Sequence, residues 1–113
     1  MRNCCINIPL TGKKSNVARQ AQKAKRLFYP FVRRGTSIYL SKDIDGQMNA
    51  IFPFSVPENV EAENVCQNAA NMLNTRVFMK CVYTGRVNYI YPVGFSGKRE
   101  NMPLFFTFID YRI

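Results

Sequence analysis

The 113-residue chain carries sixteen Lys and Arg against seven Asp and Glu, a net charge of +9, alongside 47% hydrophobic residues that include nine Phe and six Tyr. That apolar load excludes a disordered basic tail, and the length suits one domain, residues 1–113, with a core of its own. No apolar run approaches the roughly 18 residues of a membrane span, and the N-terminus has too short an apolar stretch for a signal peptide, so the expectation is a cytoplasmic protein without a membrane partner.

Cys4, Ile6, Ile8 and Leu10 alternate with Cys5, Asn7 and Pro9, the period of a strand with one apolar face, and Thr11-Gly12 turns the chain. The stretch Lys13–Arg34 follows, with eight basic residues and no acidic one. Taking Ser15 as N-cap, a helix is expected to about Tyr29, because Pro30 disfavours the α conformation in the residue before it. At about 100° per residue, Val17, Ala21, Ala24 and Phe28 fall within a wedge of about 60°. Arg19, Lys23 and Arg26 form a ridge on the opposite side, about 10 Å long at 1.5 Å per residue. Lys13 and Lys14 extend the charge before the ridge, and Arg33 and Arg34 after it. A solvated helix face is the plain reading of three aligned cations, but ordinary exposed helices mix signs because Glu and Lys at i, i+4 support each other. This helix has no such compensation, which points to an anionic partner.

Charge is segregated along the rest of the chain: residues 1–42 hold ten cations and no anions, and residues 43–75 hold five anions and no cations. A short strand is expected over Thr36–Ser41, with Lys42-Asp43-Ile44-Asp45-Gly46 as a hairpin loop. Met48, Ala50, Phe52, Phe54 and Val56 alternate strictly, although Pro53 places the far end of that strand at an edge or off the sheet. Ser55-Val56-Pro57-Glu58 reads as a capping box for a second helix, with Glu58, Glu61 and Glu63 near its N-terminus. Ala62, Val65, Cys66, Ala69, Met72 and Leu73 form its apolar face and Asn64, Gln67, Asn68 and Asn71 its uncharged polar face, to about Asn74. Three strands complete the chain: Arg76–Thr84, apolar on both faces; Val87–Val93, with Val87, Tyr89, Tyr91 and Val93 sharing a face; and Leu104–Ile113, after an exposed loop.

The order βαββαβ plus two strands predicts an α+β fold with two helices packed on one face of an antiparallel sheet. The expected form is a ferredoxin-like βαββαβ core, strands one and three central, with two extra C-terminal strands. RNA-recognition modules of that architecture stack bases on aromatics of those two strands. Here the outward positions are Cys5, Asn7, Gln47, Asn49 and Ile51, so that signature is absent.

Chemistry-bearing clusters are sparse. There is no His, and the four Cys form no C-x-x-C pair, so they are expected reduced and mostly buried. Asp43-x-Asp45-Gly46 reads as a turn, since it lacks the further ligands of a calcium loop. No nucleophile has a recognisable base partner. The expectations are therefore no enzyme activity, no metal and no cofactor. Tyr83, Tyr89, Tyr91 and Phe95 are candidates for a single-strand stacking platform with Arg86, Lys98 and Arg99, although aromatics at period two are more often core or cross-strand pairs.

The leading expectation is a small nucleic-acid-binding protein, for DNA or RNA, holding phosphates through Lys13, Lys14, Arg19, Lys23, Arg26, Arg33 and Arg34, with Arg86, Lys98 and Arg99 as further contacts. The alternative is a small phage or mobile-element inhibitor or adaptor, acting in host cytoplasm on a nucleic-acid-processing protein complex. Its small size, its eleven Asn and its bipolar charge suit that role. A ribonucleoprotein component shares the electrostatics of the first reading, and the aromatic load suits a homodimer formed through an extra apolar patch.

Overall fold

Two long runs of period-two alternation set the frame. In the computed structural model, which describes residues 2–11, 14–43, 46–97 and 106–112, the elements are β1 (Arg2–Pro9), α1 (Lys14–Arg26), β2 (Tyr39–Asp43), β3 (Met48–Val56), α2 (Ala62–Leu73), β4 (Val77–Cys81), β5 (Val87–Ile90) and β6 (Phe106–Arg112). The chain is an α+β fold of two helices and an antiparallel sheet. Five strands lie in the order β2-β3-β1-β4-β5, and β6 pairs along the outer edge of β2. The last two strands thus fall on opposite edges.

Register decides which residues share a face. Ile6 stands between Phe52 on β3 and Met79 on β4, and Cys4 between Phe54 and Cys81. Phe28 packs edge-on against Phe52 and Phe54, each at a centroid distance of 5.3 Å, and Cys66 of α2 contacts the Met79 sulfur at 3.7 Å. Both helices therefore cover the same face. The core between them holds Val17, Ala21, Phe28, Phe52, Phe54, Cys66, Ala69, Val77 and Met79, with Leu73 packed partly buried at its margin. On the other face Arg76, Asn7 and Asn49 are buried together. Arg76 Nη1 donates to Asn7 Oδ1 at 3.2 Å and Nη2 to Asn49 Oδ1 at 3.4 Å, the hydrogen bonding that a buried charge requires.

Several boundaries differ from the sequence expectation, each for a local reason. α1 begins at Lys14, which puts Ser15 inside the helix rather than at its cap, and it ends at Arg26. Beyond Arg26 the chain tightens into i→i−3 bonds, Leu27 N to Ala24 O, Phe28 N to Lys25 O and Tyr29 N to Arg26 O, as a helix does when a following proline restricts its last residues. β2 starts later and reaches Asp43, because β6 pairs with the residues expected in the hairpin loop, Lys42↔Thr107 and Asp43↔Phe106. The capping box does not form. Ser55 stays in β3 and its hydroxyl donates to Asn3 Oδ1 at 2.6 Å, while α2 starts after Glu61 with no side-chain cap. At its other end Asn74 takes the left-handed conformation, φ 53°, and its N–H reaches Ala70 O, a role Asn fills at low cost.

Pro53 does lie at an edge. β2 pairs with β3 no further than Ile51, and two residues past the proline Ser55 N instead donates to Phe31 O at 3.0 Å. β4 is buried on both faces from Val77 to Met79, but it stops at Cys81, where Gly85 N closes a turn onto Cys81 O at 2.9 Å. Gly85 has φ +69°, a conformation that favours glycine. β5 ends at Ile90 rather than Val93, since the polar face of α2 captures the next residues: Gln67 Nε2 donates to Tyr91 O at 2.8 Å, and Val93 N to Asn71 Oδ1 at 2.9 Å. No helix among the described residues is long and apolar enough to cross a membrane.

All four cysteines are free, with Cys4 and Cys66 buried and Cys5 and Cys81 half-buried. Burial pushes the Cys4 thiol up to about 11 and the Cys66 thiol up to about 12. A hydrogen bond from the Thr84 side chain, helped by backbone N–H groups, draws Cys81 below its ordinary value.

Two predictions follow from this packing. Phe28→Ala should destabilise the domain by about 3–5 kcal/mol in denaturant titration, whereas Asn68→Ala, at an exposed position of α2, should stay within about 0.5 kcal/mol of wild type. Limited alkylation of the native protein near pH 8, read by peptide mass spectrometry, should modify Cys81 first and Cys66 last. Equal labelling of those two thiols would contradict the burial assigned to α2.

Candidate nucleic-acid interface

The basic stretch is shaped by what its apolar residues must do. Val17, Ala21, Ala24 and Phe28 are buried against the sheet, so the helix presents Arg19, Lys23 and Arg26 outward, and all three are exposed. After the tightened turn the chain passes through the cis Tyr29-Pro30 bond. Val32 then drops back into the core at 6% exposure, leaving Arg33 and Arg34 on the surface. Lys25 Nζ donates to Thr36 O at 2.8 Å, and Thr36 N donates to Arg33 O at 3.1 Å. Those two bonds fold the loop back toward the end of the helix. Between them lies an open cleft of about 740 Å³ lined by Gln22, Lys25, Arg26, Tyr29, Arg33 and Arg34.

Among the described residues, no ion pair involves Arg19, Lys23, Arg26, Arg33 or Arg34. Part of this charge has a purely structural use. Lys23, Lys25 and Arg26 occupy the last turn of α1, where cations complement the helix dipole by about 0.3–1 kcal/mol each. That account does not reach Arg19, a turn or more earlier, nor Arg33 and Arg34 beyond the helix. The remaining arrangement is a ridge that runs into a cleft, both cationic and both open to solvent.

Of the ten basic residues expected to bind, Arg26, Arg33 and Arg34 meet in the cleft, and Arg19 and Lys23 continue along the same helix. Lys14 is the first residue of α1. Lys13, Lys98 and Arg99 lie outside the described residues. Arg86 is not part of the group. It follows the β4–β5 turn at the β5 end of the strand order, in a cavity of about 150 Å³ shared with Arg2, Glu63 and Cys81. There Arg2 Nη1 and Glu63 Oε1 pair at 2.9 Å. Burial acts to raise the Glu63 carboxyl, but its own backbone N–H and the Arg2 guanidinium outweigh this and hold it below the usual carboxylate range. Of the acids near the start of α2, Glu63 is thus already engaged within the chain, while Glu61 is exposed.

The candidate stacking platform does not assemble, and the pairing more usual for aromatics at period two takes its place. Tyr83 is exposed in the β4–β5 turn, Tyr89 packs edge-on against Phe78 at 5.0 Å, and Tyr91 is buried against Phe95 at 4.6 Å beside α2. Cross-strand and local packing absorb these rings. The aromatic that does stand beside the cations is Tyr29, 78% exposed, which the period-3.6 pattern treated only as the end of a helix. The signal for it was its place between Arg26 and Arg33. Among the described residues no three His, Cys, Asp or Glu gather into a group able to hold a metal ion. Asp45 lies outside the described residues, and Asp43 ends β2. Comparison with protein-family models, curated proteins and solved structures finds no match to this chain.

Proposed function

We propose that this chain is a small, non-enzymatic nucleic-acid-binding protein that holds the phosphate backbone of DNA or RNA through α1 and the loop after it, on what we read as a ferredoxin-like βαββαβ core working in the cytoplasm. The observation that carries the reading is the run of five exposed cations, Arg19, Lys23, Arg26, Arg33 and Arg34, that form no ion pair among the described residues, on an element whose other side is fixed to the core. Clustered cations repel one another, and no carboxylate among the described residues pairs with any of these five. A polyanion would do so, with release of its condensed counterions. Arg33 and Arg34 suit phosphate oxygens through their planar forks, and Lys23 through its point charge.

The test is binding across a salt series. With about five neutralised phosphates, log K for duplex DNA should fall with log salt at a slope of roughly −4 to −5. Replacing Arg19, Lys23 and Arg26 together with Gln should flatten that slope by about 2 to 3 while the domain stays folded, with a small drop in melting temperature from the lost helix-dipole contribution of Lys23 and Arg26. A wild-type affinity that ignores salt would sink the reading.

A second reading rests on the acidic start of α2, where Glu61 is exposed. A chain with cations on one helix and acids at the start of the other has the surface of an inhibitor or adaptor docking on a nucleic-acid-processing protein complex. Glu61→Lys separates the two, and unlike a change at Glu63 it spares the ion pair with Arg2. It should leave nucleic-acid affinity equal or slightly raised, but slow association with a protein target that matches the acidic patch.

A further inference from the structure

We infer that the cleft at the end of α1 is a single-strand site, in which an unpaired base stacks on Tyr29 while the flanking phosphates are held by Arg26 on the helix side and by Arg33 and Arg34 on the loop side. The inference rests on the nucleic-acid reading above and narrows it to a class of strand.

Tyr29 is the anomaly in its segment. Phe28 before it and Val32 three residues after it are 0% and 6% exposed, yet Tyr29 is 78% exposed and its ring makes no ring contact among the described residues. Single exposed aromatics are common and by themselves mean little. This one lines a concave space of about 740 Å³ whose other walls carry Lys25, Arg26, Arg33 and Arg34, a size within the usual range for small-ligand sites. Lys25 is committed to the Thr36 carbonyl, which fixes the loop wall and leaves three arginines for a ligand.

An intact duplex has no use for that ring. Its phosphates lie outside and its bases are stacked within, so Tyr29 would meet only sugar and phosphate. A single strand presents both groups at once: an aromatic face for stacking and a backbone charge on either side, the combination that single-strand binders use. The amide of Gln22, on the same wall, has both a donor and an acceptor to offer a base edge. The ridge of Arg19 and Lys23 then continues the path of the backbone away from the stacked base.

The probes are fluorescein-labelled 12-mers of deoxythymidine and of uridine, a 12-mer of abasic deoxyribose phosphate, and a 12-base-pair DNA duplex. Each is titrated by anisotropy at two salt concentrations against wild type, Tyr29→Ala, Tyr29→Phe and the Arg33→Gln/Arg34→Gln double variant. Tyr29→Ala should weaken binding of the two base-bearing single strands roughly 5- to 100-fold, the size of one lost stacking contact. It should change duplex and abasic affinity less than about twofold and leave the salt slope intact, because no charge is removed. Tyr29→Phe should bind as wild type, and melting curves of both variants should overlay the parent, since the ring is exposed. The arginine double variant should weaken every probe and flatten every slope. If Tyr29→Ala binds the single strands as wild type does while the arginine variant weakens them, the stacking site is wrong and the phosphate-binding reading stands. If no probe binds wild type in a salt-dependent way, both fall. The thymidine and uridine arms tell DNA from RNA.

Discussion

The insertion of Phe28 between Phe52 and Phe54 is the contact on which the rest of the surface depends. Its ring meets both partners edge-on at 5.3 Å with no exposure to solvent, an arrangement worth about 0.5–1.5 kcal/mol per pair beyond area burial. Phe28 lies just past the last residue of α1, so it anchors the helix and the following loop together. With that anchor in place, α1 cannot roll about its axis without pulling a ring from the core. The direction of every side chain on the helix is thereby set, including those of the cations.

The second helix settles the opposite half of the molecule by different means. Its apolar side is small, Ala62, Cys66, Ala69 and Ala70, which lets it approach the sheet closely. Its amides then bind the backbone beyond β5, and Gln67 and Asn71 also hydrogen-bond each other at 3.1 Å. The asparagine-rich face is therefore partly internal: it satisfies main-chain groups that the end of a strand leaves unpaired. One end of the domain is held by aromatic packing and the other by side-chain amides.

Much of this was legible in the sequence, and the failures have common causes. Period-two alternation located β1 and β3 because one face of each is wholly apolar, and period 3.6 located both helices and the buried stripe of α1. On α2 it put Met72 on the apolar face, where the structure leaves Met72 73% exposed and buries Ala70 instead. Element ends were less legible because they depend on partners distant in sequence: β6 extends β2, and α2 draws Tyr91 and Val93 away from β5. The Ser55-to-Glu58 pattern looked like a cap because four residues cannot reveal that Ser55 already has Asn3 across the sheet. At the site, the cations were legible from charge alone. The cleft and Tyr29 were not, because they exist only once the chain turns back after Pro30 and Lys25 fastens the return. The candidate aromatic platform gave way to packing within and beside the sheet because alternation specifies a shared face only while the strand continues.

The guanidinium of Arg76, bound to Asn7 on β1 and Asn49 on β3, gives the centre of the sheet a sense of alignment that its hydrophobic face lacks. Alternating Ile, Ala, Phe and Val on neighbouring strands pack tolerably when displaced by two residues, since the same kind of side chain returns to the same face. A two-residue slide of β3 against β1 would instead carry the Asn49 amide away from the arginine and remove one of the hydrogen bonds to its buried guanidinium. The buried polar triad thus acts as a vernier mark between strands that apolar patterning alone would leave free to settle in more than one position.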